Sequence, residues 1–228
     1  MQPDPGAHGG IRALSTAGPS DLSTADLGEP LTLHLVRHAS TAVTGQVPSG
    51  GDEIGPELTG EGFTQAHAVR VGPADALLTS PMLRARQTAQ ALDLGVPTQV
   101  APEWAELRLG DWNGLPYREI ASRWPHEYAL WHGSASARPP GGESVLDLKS
   151  RIEDAVARLR SEHAGRSVVV VTHTGPIRAA VASALDAGLQ AFWRLRIDPA
   201  SVTTLRFWAD GGVEVASVNA APTRPTLS

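Results

Sequence analysis

Residues 167–172 read SVVVVT, four consecutive β-branched apolar side chains between small polar ones. A strand with one face in water alternates polar and apolar residues. An unbroken apolar run is instead a strand buried on both faces, and such strands occur in parallel sheets covered by helices on each side. LTLHLV at 31–36 and the shorter DALLT at 75–79 read as further buried strands, and a short strand is expected near Thr98–Val100. Helical patterns lie between them. ESVLDLKSRIEDAVARLRSEH sets Val145, Leu148, Ile152, Ala155, Val156 and Leu159 on one stripe. TGEGFTQAHAVRV (59–71) predicts a helix with Phe63, Ala66 and Val69 as its apolar positions. Ser80 predicts an N-cap with Pro81 at the first helical position, followed by Met82, Leu83, Ala85, Ala89 and Leu92 inward. Residues 115–132 predict one or two irregular helices. Another helix starts at Gly175-Pro176, with Ile177, Val181, Ala184 and Leu185 inward. SVTTLRFWADGGVEVASV predicts a closing hairpin with Asp210-Gly211 at its turn. This alternation predicts an α/β fold, a three-layer α/β/α sandwich with a mostly parallel sheet.

The 228 residues fit one sizeable domain or two small ones, and 41% hydrophobic content suffices for a globular core. Residues 1–30, rich in Pro, Gly, Ser and Thr, read as a flexible leader, and 219–228 as a flexible tail. The domain is expected between them, at 31–218. A net charge of −5 argues against nucleic acid or an acidic membrane surface as partner. No apolar stretch approaches the length of a membrane span, and no signal peptide is visible. A cytoplasmic protein, monomer or homodimer, is expected. With no cysteine, thiolate chemistry and disulfides are excluded.

Ligands of open α/β sheets bind beyond the carboxyl ends of the strands. Three polar groups fall there: Arg37-His38 after LHLV, Ser80 with Arg84 after ALLT, and His173 after VVVVT. Alone, each has an ordinary explanation as a structural histidine or a solvated arginine. Together, with two helix starts at Pro81 and Pro176 adding partial positive charge, they predict an anion pocket. Phosphate suits it best, because guanidinium forks match its oxygens. His38 and His173 lack a third ligand at useful spacing, so neither metal nor cofactor is expected.

Arg-His after the first strand, SPMLRARQTA, AELRLGDWNG, PGGES and VTHTGPIR, in this order over about residues 31–208, resemble the histidine phosphatase superfamily. That group contains cofactor-dependent phosphoglycerate mutases and acid phosphatases. The resemblance implies a phosphoglycerate mutase-like fold and a role for each matching residue. His38 matches the nucleophile that takes the phosphoryl group. Arg37 and Arg84 match the arginines that bind its oxygens, His173 the second histidine, and Glu106 the proton donor, for which Trp104 and Trp112 offer an apolar wall. Imidazole is nucleophilic at neutral pH without a separate base. The leaving alkoxide needs a proton.

This chain departs from the family pattern at Ala39, where glycine is usual, and at Thr44, where an asparagine often stands near the phosphate. Asn113 replaces a glutamate and Thr174 a glycine. Thr44 and Thr174 join Arg37, Arg84 and His173 as candidate substrate contacts. Residues 113–142 are expected to form a lid, and its Arg138 reads as a solvated residue or a contact to a second anion. The short span from Glu106 to His173 and the few basic residues in that lid favour a hydrolase of a small phosphorylated substrate. A phosphoglycerate mutase-type phosphotransferase and a non-catalytic phospho-ligand binder remain the alternatives.

Overall fold

The computed structural model describes residues 28–50 and 54–222. The expected leader lies outside them apart from residues 28–30, as does the expected tail from residue 223. A six-stranded sheet runs through the centre in the order β3-β2-β4-β1-β5-β6. The strands are β1 (Leu31–Arg37), β2 (Ala76–Thr79), β3 (Thr98–Val100), β4 (Ser167–Thr172), β5 (Val202–Phe207) and β6 (Val213–Ala220). The β2–β3, β2–β4 and β1–β4 pairs are parallel, and β1–β5 and β5–β6 are antiparallel. This is the mostly parallel α/β sandwich expected from the sequence.

The valine run behaves as its composition demands. Side chains alternate across a strand, so Val168 and Val170 enter one core while Val169 and Val171 enter the other. On the first face lie α5 (Val145–Glu162) and α6 (Thr174–Ala184), and on the second α1 (Gly60–Ala68) and α2 (Leu83–Leu92). All four valines are fully buried. Each such burial is worth roughly 1.5–3 kcal/mol, so β4 anchors both layers. The irregular segment forms α3 (Tyr117–Arg123) and α4 (Pro125–Gly133), and α7 (Leu189–Arg194) precedes the final hairpin. Ser144 and Asp147 form a capping box at the start of α5. Asp210-Gly211 makes the hairpin turn, with Gly211 at φ 99°, a left-handed conformation that favours glycine.

Four local expectations are corrected. α2 begins at Leu83 with Met82 as N-cap, not at Ser80-Pro81, because the Ser80 hydroxyl is engaged by the His173 ring. Phe63 is exposed on α1, whose inward positions are Gly62 and Ala66. Leu185 is exposed at the end of α6. β6 continues through Asn219 and Ala220, two residues past the expected domain end, because Val202 still pairs with Ala220. Among the described residues no helix is long and apolar enough to cross a membrane.

Candidate active site

β4 lies between β2 and β1, all parallel, and Arg37 is in register with Thr172. The sheet therefore delivers His38, Ser80 and His173 to one edge. Arg37, His38, Thr44, Arg84, Glu106 and Thr174 line a single cavity of about 450 Å³. His173 is fully buried behind it, its ring centroid 5.1 Å from that of His38.

The His38 ring is held from both ends. Nδ1 lies 2.8 Å from the Ala39 carbonyl, an acceptor only, so Nδ1 carries the proton. Nε2 then presents its lone pair, and Arg84 Nε donates to it at 3.1 Å. Burial, the Arg84 charge and the Arg37 charge hold His38 well below the ordinary histidine range. It is a neutral imidazole at pH 7. Arg84 also donates from Nη2 to the Ser49 carbonyl (2.6 Å), and burial lowers its guanidinium to about 10, still fully charged at neutral pH. Arg37 donates from Nη1 to the Ile197 carbonyl (2.6 Å), leaving its buried Nε without a partner.

His173 Nε2 and Ser80 Oγ are 2.7 Å apart. Ser80 Oγ also accepts from the Met82 amide at 3.3 Å. In the tautomer whose Nε2 accepts the Ser80 hydroxyl proton, the ring proton is on Nδ1, a buried atom with no partner among the described residues. Burial, with the neighbouring Arg84, keeps His173 well below the ordinary histidine range as well.

Glu106 sits in an irregular loop whose start is tied to β4 by the Thr172 hydroxyl on the Trp104 carbonyl (2.6 Å). Its Oε1 accepts from its neighbour's amide, Leu107 (2.8 Å), and from the Gly175 amide at the start of α6 (3.0 Å). Among the described residues, Oε2 has no partner and Glu106 is the only acidic side chain that lines the cavity. The absence of a side chain at Gly175 makes room for this contact, because a Cβ on it would overlap Glu106 Oε1.

A family model described as histidine phosphatase superfamily (branch 1) matches residues 33–220. The chain belongs to that superfamily. A bifunctional protein of Mycobacterium tuberculosis is 35% identical over 199 residues, which cover 84% of this chain but only 54% of that protein. The chain thus spans about half the length of that relative. The adenosylcobalamin/alpha-ribazole phosphatase of Escherichia coli is 29% identical over 175 residues, covering 74% of this chain and 86% of the relative. The solved structure of a mycobacterial glucosyl-3-phosphoglycerate phosphatase has a TM-score of 0.74 and 29% identity, covering 85% of this chain and all of that one.

Within this histidine phosphatase fold, several expectations change. The two helix starts do not turn all their amides to an anion: Leu83 N–H goes to the Ile54 carbonyl and Gly175 N–H to Glu106. Trp104 and Trp112 are core residues and do not wall Glu106. Tyr117, Trp131, Phe192 and Trp193 supply the cavity's aromatic surface instead. Thr44 Oγ1 lines the cavity but is occupied by the Thr41 amide (2.9 Å) and hydroxyl (3.0 Å). Ala39 is fully buried with an ordinary negative φ, so its methyl group is accommodated. Asn113 Oδ1 accepts from the Gly50 amide (3.0 Å), fastening the loop that carries Ser49. Arg138 pairs with Asp147 on the surface, the solvated alternative.

Sequence reasoning missed Ser49, Arg178 and the wall at 192–197. Arg178 follows Thr174 by one helical turn, a spacing that marks it as facing the same way. Ser49 and the 192–197 wall carry no comparable local signal.

Proposed function

We propose that the chain is a metal-independent phosphomonoesterase that hydrolyses a small phosphorylated metabolite in the cytoplasm through a phosphohistidine on His38. The observation that carries this reading is the His38 ring itself: a neutral imidazole, Nδ1–H tied to Ala39, whose unprotonated Nε2 accepts from Arg84 Nε at a cavity that Arg37 also lines, so that the lone pair is released when Arg84 turns to a phosphoryl oxygen. Phosphoryl transfer needs mostly positioning and charge neutralisation, and the two guanidinium groups provide both. His173, buried behind the His38 ring, would supply a third donor from Nδ1 once the site opens to phosphate.

Nε2 attacks phosphorus as the P–O bond to the leaving group breaks. The leaving oxygen takes a proton from Glu106 Oε2, whose other oxygen is held by two amides. The resulting carboxylate then accepts a proton from water as that water attacks the phosphohistidine. The P–N bond breaks, inorganic phosphate departs, and His38 is neutral again. Residues 113–142 act as the lid, with Tyr117 and Trp131 facing the leaving group. An alcohol is the leaving group that most needs the Glu106 proton.

The test is release of nitrophenol from p-nitrophenyl phosphate in the presence of a chelator, by the parent and by His38→Ala, with a panel of sugar, nucleotide and glycerate phosphates. The reading requires turnover by the parent alone and an acid-labile phosphoenzyme on quenching. Exchange between 2- and 3-phosphoglycerate primed by bisphosphoglycerate would make the protein a mutase. Phosphate binding without turnover of any ester would make it a binder. A stable phosphoserine or phosphothreonine would overturn the assignment.

A further inference from the structure

We propose that the partly buried Glu143–Arg151 ion pair is the positioning device for the Glu106 carboxyl, holding the acid loop on both sides so that leaving-group protonation depends on it while phosphate binding does not. The inference rests on the reading of Glu106 as proton donor.

Neither residue lines the cavity. Glu143 is 2% exposed and immediately precedes the Ser144 cap of α5; Arg151 lies eight residues on, in the second turn of that helix. Arg151 Nε and Nη2 donate to Glu143 Oε1 and Oε2 at 3.1 and 3.0 Å, a bidentate pair. Arg151 Nη1 donates to the Glu103 and Ala105 carbonyls, the latter at 3.0 Å. Glu143 Oε2 accepts from the Arg108 amide (3.2 Å), and the Glu143 amide donates to the Arg108 carbonyl (2.8 Å). Residues 103, 105 and 108 are thereby fastened to one point, and Glu106 lies between them.

The loop needs such a fastening, because residues 105–109 belong to no helix or strand. An ion pair with one partner buried and the other partly exposed contributes little net stability compared with an apolar pair of similar volume. What an apolar pair could not do is bind a carboxylate and two carbonyls at once, which the five donors of one guanidinium achieve in fixed geometry.

The experiment compares Glu143→Gln, Arg151→Lys and, as reference, Glu106→Gln. Each is assayed for kcat/KM on p-nitrophenyl phosphate, whose leaving group departs without a proton, and on glycerol 2-phosphate, whose alkoxide requires one. Because kcat/KM reports only steps up to leaving-group departure, the later hydrolysis does not enter. Inhibition by inorganic phosphate measures the cradle. Arg151→Lys keeps a cation beside Glu143 but cannot reach both carbonyls, so it remains informative if Glu143→Gln lowers stability.

The expected result is a loss of roughly 10- to 100-fold on glycerol 2-phosphate, from a displacement of the acid by a fraction of an ångström to one ångström. Activity on the aryl ester and inhibition by phosphate should be nearly unchanged. Equal losses on both esters, or none on the alkyl ester, would overturn the positioning role. If Glu106→Gln shows the split and the other two variants do not, only the inference fails. If Glu106→Gln itself shows no split, the acid assignment fails and the inference falls with it.

Discussion

Gly175→Ala tests the proposed acid, Glu106, apart from the proposed phosphate cradle with a single methyl group. The added Cβ would overlap Glu106 Oε1 and would sit 3.2 Å from Leu148 Cδ2 on α5. Leu148 is fully buried in the core, so it has little room to retreat. The carboxyl is the flexible party and must move. Ordinary carbon–oxygen contact begins near 3.5 Å, so the carboxyl must shift by on the order of 1 Å and give up its bond to the Gly175 amide. A misplacement of that size costs about 10²-fold in rate when the group takes part in the transition state. Stability should barely respond. The variant loses one amide–carboxylate bond and gains helix propensity of up to ~1 kcal/mol in the first turn of α6. With a net change within about 1 kcal/mol, the melting temperature should move by less than about 4 °C. The assay is kcat/KM on an alkyl phosphate beside thermal unfolding and inhibition by inorganic phosphate. Full activity on the alkyl ester would refute the reasoning, as would collapse of phosphate inhibition, since the cradle is not touched.

Ser80→Ala removes the hydrogen-bond partner of His173 Nε2 and leaves both ring nitrogens buried with none among the described residues. It should cost ~1–3 kcal/mol in urea unfolding and lower turnover on every ester alike. Arg84→Lys keeps the charge but loses the fork that spans His38 Nε2 and the Ser49 carbonyl, so kcat/KM should fall about tenfold or more on aryl and alkyl esters together. His38 and His173 both have folded pKa values depressed well below 6.5. Below an unfolded value near 6.5 the unfolded chain takes up protons that the folded one refuses. Stability contributed by their neutral forms is therefore present above pH 6.5 and lost as pH falls, by up to ~1.4 kcal/mol per pH unit for each ring. Urea midpoints between pH 7.5 and 5.5 should show this slope, and it should be shallower in His38→Ala.

The parts of the site that the sequence made legible are those tied to strand ends. β4 announced its burial through four valines. The apolar runs ending at Val36, Thr79 and Thr172 placed His38, Ser80 and His173 at one edge once the strands paired. The regular backbone does that work, so local pattern suffices. Ser80 shows where it stops sufficing. Its local chemistry is that of a good N-cap, yet its hydroxyl is taken by a histidine 93 residues away, and the helix starts three residues later. The same holds for the aromatic wall. Trp104 and Trp112 lie nearest Glu106 in sequence, whereas packing brings Phe192 and Trp193 to the cavity and sends the first two into the core. Phe63, exposed on α1, departs from a spacing of three that Ala66 and Val69 follow inward.

The carbonyl that fixes the His38 ring belongs to the very next residue. Many histidines used in chemistry borrow their orientation from an acid elsewhere in the chain, and a distant substitution can then turn them to the wrong tautomer. Here the tautomer is inherited with the strand's own exit path. On the reading of His38 proposed above, loops and helices around the mouth can be exchanged for others without disturbing Nε2, which would leave the choice of ester free to diverge while the phosphoryl acceptor stays the same.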